Sequence, residues 1–313
     1  MSDAALSRDR RDIKASLRKA GIDLRSFATA TSGWHVARYG LTCWCAAAIA
    51  VVFLASDEPI LVGCGLAGLT LAQYAMLSVT HEACHFTLLS NRRMNDFVGN
   101  VCFALPIGTT VAHYRARHEK HHRHLGNDID PASPLIAPDS QRIDVVRALT
   151  LLLLGRAVFD LFLDVRVGSV ASTPSQDGAS HSGKERLLTL IAYHAPIFAA
   201  IAYEGLWLVW LTWALVAATL VPFLDGLRTV AEHRFGADHD EGRDHTRVHH
   251  TNIFISAIVA PFLQHHWEHH LFPSIPHCHL VKFHRLLVSL GVKHAEPLHG
   301  GFPRALADGL LRK

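Results

Sequence analysis

Four apolar stretches, Tyr39–Ser56, Pro59–Thr80, Leu187–Tyr203 and Gly205–Leu224, limit this chain more than any other feature. Crossing about 30 Å of hydrocarbon takes roughly 20 mostly apolar residues, and each stretch approaches that length. In lipid every backbone N–H and C=O must be satisfied within the segment, so such stretches cross as helices. They fall into two hairpins, one turning at Ser56-Asp57-Glu58-Pro59 and the other at Glu204-Gly205. The chain is 50% hydrophobic and only 18% charged, more apolar than a soluble domain of 313 residues needs. The expectation is an all-α integral membrane protein with four transmembrane helices.

The charge distribution orients it. Neither hairpin tip carries Lys or Arg, whereas the first forty residues hold Arg8, Arg10, Arg11, Lys14, Arg18, Lys19, Arg25 and Arg38. The positive-inside rule then places both tips outside and both termini in the cytoplasm. A net charge of +3 concentrated next to a span is a membrane signature, and no nucleic-acid partner is expected. Residues 1–33 lack the apolar core of a cleavable signal peptide, so none is expected. Ile13, Leu17 and Leu24 share one side of the basic segment, which predicts that it lies on anionic lipid, with docking of an acidic electron carrier as the alternative.

Three further apolar runs are assigned by parity. Phe97–Ala112 and Ile253–Leu263 are too short to cross and are expected to be partly inserted or interfacial. Ile143–Val167 is long enough, but Arg156, Asp160 and Asp164 would each cost about 2.5–3.5 kcal/mol at mid-bilayer, so an in-plane amphipathic helix is expected. Residues 168–183 read as a linker, and 236–252 as a charged loop. Leu280, Phe283, Leu286, Leu287 and Leu290 have helical spacing and are expected to pack on a cytosolic cap. Three units follow: a basic segment over 1–38, a membrane domain with its cap over 39–290, and a tail over 291–313. The six cysteines include no C-x2-C pair and read as small buried hydrophobes. Trp207, Trp210 and Trp213 follow one helix face and are expected to anchor the outer interface.

Histidine carries the chemistry. With 24 histidines in 313 residues, chance gives roughly 0.14 occurrences of His-x2-His-His, yet there are two. Residues i, i+3 and i+4 share a helix face, so His118, His121 and His122 converge, as do His266, His269 and His270, with His81 and His85 one turn apart. Neutral imidazole binds iron, copper, zinc or nickel, and eight imidazoles exceed the four that one tetrahedral zinc takes; two metals are implied. Glu82, Glu119 and Glu268 are expected to point off the histidine face, unlike the Glu-x2-His pairs of carboxylate-bridged bundles. His81 follows the second span directly and His233 lies close after the fourth, so the site is expected at the cytoplasmic membrane face. A His-rich metal transporter or store is the non-redox alternative, but it needs polar ligands inside the spans.

HEACH (81–85), HEKHH (118–122) and HWEHH (266–270), ordered on two hairpins, resemble the three histidine boxes of the membrane fatty acid desaturase and hydroxylase superfamily. Leu227-Arg228-Thr229-Val230-Ala231-Glu232-His233 and His269-His270-Leu271-Phe272-Pro273 extend the match. The resemblance implies four spans with a cytosolic cap, and two irons held by His81, His85, His118, His121, His122, His233, His266, His269 and His270. Some members place Asn four residues before the extra His, where this chain has Thr229. His124, His265, Thr229 and Glu232 are candidates for contacts that support the ligands. The family's chemistry implies a membrane oxidase that uses O2 to desaturate a fatty acyl or lipid chain, with a lipid or carotenoid hydroxylase or ketolase as the alternative. Because no dinucleotide fingerprint and no haem-binding His-Pro-Gly-Gly segment is present, electrons are expected from an external ferredoxin, rubredoxin or cytochrome b5 type donor.

Overall fold

The computed structural model describes residues 2–137, 140–167, 183–234, 246, 265–292 and 301–311, apart from the side chains of 2–7, 166 and 167. The linker over 168–182, most of the charged loop at 236–252 and the run Ile253–Leu263 lie outside the described residues. Among those described, regular structure is helical. The elements are α1 (Ser2–Lys19), α2 (Gly33–Leu54), α3 (Pro59–Cys84), α4 (Arg92–Gly99), α5 (Val111–His124), α6 (Ser133–Ile136), α7 (Arg142–Leu153), α8 (Arg156–Val167), α9 (Gly183–Tyr203), α10 (Trp207–Ala218), α11 (Leu220–His233), α12 (His266–Leu271), α13 (His277–Ser289) and α14 (Gly301–Leu311).

Four helical stretches are long and apolar enough to cross a membrane: Gly33–Leu54, Pro59–Cys84, Gly183–Tyr203 and Trp207–His233. Large side chains on them face outward, including Trp34, Ile60, Leu188 and Leu208. Water would penalise that much apolar surface, and lipid does not. The first pair forms a close hairpin, because Gly65 lets the backbones meet: a Cβ there would come within 2.8 Å of the Ala50 carbonyl oxygen and the Leu54 nitrogen. Ser32 caps α2 by accepting from the His35 N–H, and Pro59 opens α3 where no N–H is needed.

The fourth crossing is not one straight helix. Pro222 cannot donate a hydrogen bond to Ala218, and the chain breaks at Thr219 (φ −125°, ψ −70°) between α10 and α11. The expected span ends at Leu224, but helix continues to His233, so the bend aims α11 at the histidines. α3 likewise runs past Thr80 and carries His81 within its last turn.

A second core lies beyond the ends of the spans. Ile13 and Leu17 of α1, Val145 and Leu149 of α7, Val230 of α11, Trp267 and Leu271 of α12, and Phe283 and Leu287 of α13 bury one another there. This corrects the expectation for the N-terminal segment. Its apolar side faces the cap instead of lipid, since Ile13 and Leu17 find matching buried surface on α12 and α13. Arg10 strengthens the contact, donating from Nε to the Leu271 carbonyl at 2.8 Å and from Nη2 to that of His270 at 3.3 Å. Leu280, Phe283 and Leu287 are buried in the same core. The tail is helical over Gly301–Leu311 and packs on α11, where a Cβ at Gly309 would come within 2.8 Å of Val230.

α8 presents Val158, Phe159, Phe162 and Leu163 outward while Asp160 and Asp164 turn inward. Trp213 departs from the interface role expected of it: it stacks on Trp44 at 5.8 Å and donates to the Pro106 carbonyl at 2.7 Å. Among the described residues the cysteines are free, with Cys43 and Cys84 buried.

Candidate metal centre

α3 ends at Cys84, where its last carbonyl groups would lack partners. Arg115 of α5 takes them, donating from Nε to the Cys84 carbonyl at 2.8 Å and from Nη2 to that of Ala83 at 3.1 Å. Asp96 receives the same guanidinium at 2.6 and 3.1 Å, and Asn95 also donates to the Ala83 carbonyl. Phe86, the next residue after His85, sits at φ 58°, with the Arg115 guanidinium 3.8 Å above its ring. Helix end, α5 and the first histidine pair are thereby locked in one register.

The nine histidines named from the sequence come together. His81, His85, His118 and His269 form one group and His121, His233, His266 and His270 another, and within each group the ligating atoms lie within 4.8 Å of one another. In the second group Nε2 of His233 lies 3.3 Å from that of His121 and 2.8 Å from that of His266, which is 3.0 Å from that of His270. His122 lies between the groups. Its Nε2 is 2.9 Å from that of His118 and 3.2 Å from that of His269, while its ring stacks on His270 with centroids 4.2 Å apart.

The donor set suits transition-metal ions. Both ring nitrogens of His81, Nε2 of His85, and Nδ1 of His266 and His270 are buried without a hydrogen-bond partner. Burial first, and then the neighbouring imidazoles, pushes His85, His118, His122, His266, His269 and His270 well below the ordinary histidine range. Neutral rings keep the lone pairs that a metal needs, and such a buried polar cluster is costly when nothing completes it.

Carboxylates lie against these rings and their neighbours. Asp130 lies 2.9 and 3.0 Å from His121 Nδ1, and its oxygens also accept from the N–H groups of Gly126 and Ala132. Glu232 lies 3.3 Å from His266 Nε2 and 3.4 Å from Arg228, which also meets Asp225 at 3.0 Å. Glu82 lies 3.9 Å from His81 Nδ1 and 3.0 Å from His277 Nδ1 and accepts the His277 backbone N–H, and Nε2 of His277 meets the Tyr39 hydroxyl at 3.0 Å. Glu268 meets His284 Nδ1 at 2.5 Å, and His265 stacks on that ring.

Of the supporting candidates, Glu232 is in contact with a box histidine, and His265 lies beside Glu268 instead. Thr229 returns its hydroxyl to the Asp225 carbonyl, four residues back. Among the described residues His124 has no hydrogen bond or ring contact with the nine histidines. The sequence reading passes over Asp130 and takes His277 and His284 for solvated or packing residues, because their partners are 9, 195 and 16 residues away, beyond any helical spacing. The Asp130-Pro131 turn just after the second box was the one local signal for the first.

A cavity of about 310 Å³ reaches His118, His121, His233 and His266, with Leu77, Ile107, Leu135, Leu152 and Val221 in its walls. It adjoins a chamber of about 280 Å³ between α8, α9 and α10, lined by Leu161, Leu187, Leu190, Ile191, Trp210 and Trp213.

Comparison with known proteins agrees with this geometry. Over 109 residues the chain is 32% identical to the beta-carotene ketolase of Paracoccus sp. (strain PC1), a stretch of 32% of this chain and 45% of that protein. The chain thus spans less than half the length of this relative. The profile of the fatty acid desaturase family matches residues 59–301, from the start of α3 to α14, and includes all nine histidines. The chain belongs to the fatty acid desaturase family.

Proposed function

We propose that this protein is a membrane di-iron oxidase that uses O2 and externally supplied electrons to desaturate a fatty acyl or other lipid chain. His81, His85, His118, His121, His122, His233, His266, His269 and His270 hold the two irons. The observation that carries this reading is the pair of four-imidazole groups opening on a cavity that adjoins an apolar chamber among the spans. Reduced iron supplies O2 activation and removal of hydrogen from an unactivated C–H bond. The chain supplies the rest: neutral imidazoles to hold the ions, Asp130 to orient one of them through its far nitrogen, and apolar walls that exclude water and align the chain. The histidines and both termini face the cytoplasm in this reading, where a ferredoxin, rubredoxin or cytochrome b5 type donor delivers electrons.

A second reading is oxidation of a lipid or carotenoid to an alcohol or ketone. The ketolase relative favours it, and the two readings share metal centre and cavity. Product analysis of an expressing host separates them, because new double bonds, new hydroxyls and altered carotenoids differ in mass. Purified protein is expected to contain close to two irons per chain and to consume O2 only with substrate and donor present. Full turnover without O2, or by a zinc-only preparation, overturns the oxidase reading, since zinc has no redox chemistry.

A further inference from the structure

Glu268 turns away from the nine histidines although it stands between His266 and His269 in the third box. Helical spacing requires this: His266, His269 and His270 take one face of α12, and Glu268 leaves on another. It points into the cap, against α13. There Nδ1 of His284 lies 2.5 Å from its Oε1, and Nδ1 of His265 lies 3.8 Å from the same oxygen. The two imidazole rings stack with centroids 4.5 Å apart and 29° between their planes. One ligating atom from each of the three side chains lies within 4.8 Å of the others, and none of the three residues belongs to either four-histidine group.

A hydrogen bond alone leaves this cluster incomplete. Glu268 is 0% exposed, and its Oε2 is buried without a hydrogen-bond partner. Among the described residues no Lys or Arg pairs with it, and its neighbours Trp267, Leu271, Phe283 and Leu287 belong to the apolar core of the cap. A buried carboxylate with an orphaned oxygen is costly, and protonating His284 answers only the other oxygen. A divalent cation answers the whole set. Two imidazole nitrogens and a carboxylate oxygen are a zinc-type donor set, completed by water in the fourth position. With bonds of about 2.0–2.2 Å, a tetrahedral ion holds its donors roughly 3.4 Å apart. The separations of 2.5 and 3.8 Å bracket that value, so His284 has only to back off and His265 to close in, each by less than about 1 Å. His265 keeps 12% of its side chain exposed, which gives the ion and its water a way in.

We propose that His265, Glu268 and His284 form a further, mononuclear metal site for a zinc-class divalent cation, which clips α12 to α13 behind the third box. Among first-row divalent ions such donors hold zinc more tightly than ferrous iron, so zinc is the expected occupant. It brings no redox chemistry. Its effect is mechanical, because α12 carries His266, His269 and His270 and the clip fixes that helix from its other side. The assignment does not depend on which metal the two four-histidine groups hold.

The test is a Zn2+ titration of the purified holoprotein against a chromophoric zinc chelator, with iron and zinc per chain then counted by elemental analysis. The wild type is expected to take up one zinc beyond the metal of the histidine groups. Titrated with Co2+ instead, the same step should give the visible absorption of a four-coordinate ion. His284→Gln separates the metal from the hydrogen bond, because its amide can still donate to Glu268 while the imidazole ligand is gone. Its zinc affinity should fall at least about 10- to 100-fold, the range that loss of a supporting contact alone reaches, with iron content unchanged. His265→Gln, at the rim, should do the same. A wild type that takes up no zinc beyond the histidine groups overturns the proposal, as does undiminished uptake by either variant, which would put the zinc elsewhere on the chain. If both variants shed iron as well, the wild-type Co2+ spectrum decides. A four-coordinate spectrum at that step supports the site, and a six-coordinate one, the mark of loose surface binding, overturns it.

Discussion

Asp130 accepts from three donors, His121 Nδ1 and the backbone N–H groups of Gly126 and Ala132, and so fixes which nitrogen of His121 faces the second histidine group. Asp130→Ala should lower metal affinity about 10- to 100-fold with helicity retained, which metal titration followed by circular dichroism checks. His233→Ala should also reduce bound iron and abolish turnover, whereas His239→Ala and His245→Ala should change neither. The buried histidines make the metal-free protein acid-sensitive. Unfolding returns six of them to their ordinary value of 6.5. Below that pH the unfolded chain binds more protons than the native one, so stability falls as pH drops. The Tm of metal-free protein should therefore decline between about pH 7 and pH 5, and bound metal should blunt the decline because it competes with the proton.

Among the elements, the α2–α3 hairpin and α1 are the most sensitive to small changes. Gly65→Leu puts a side chain against the backbone at Ala50 and Leu54, which cannot move aside as a flexible side chain could. It should cost about 1–3 kcal/mol, seen as earlier unfolding in detergent with mild denaturant. α1 was legible as a helix with one apolar side, but not its destination. Ile13 and Leu17 fit lipid and a protein core equally well, and only α12 and α13 show that the core takes them. Arg10→Ala should weaken the hold on the backbone at His270 and Leu271, releasing metal faster under chelator while the spans stay folded. The sequence reads Gly205–Leu224 as one crossing straight through Pro222, and only the structure shows the break that turns α11 towards the other boxes.

At the scale of the whole molecule, the four long apolar helices act as a scaffold that brings distant segments to one histidine cluster. Cysteines placed at Asp57 and Glu204 should react with a probe confined to the outside and resist one confined to the cytoplasm. Labelling of either from the cytoplasm would reverse the orientation given to the histidines.

The four apolar runs, the proton-free lone pairs of imidazole and the i, i+3, i+4 spacing are local properties, so composition and pattern alone determined an all-helical membrane chain with eight converging histidines, and the family resemblance added His233. Which histidines share a group was decided by tertiary structure. His118 and His121 sit in one box yet join different groups, because the α5 face turns between them while α12 contributes His269 to one side and His266 and His270 to the other. The carboxylate held against His121 and the place of α1 depend on contacts across 9 and 261 residues, which no periodicity in the chain encodes.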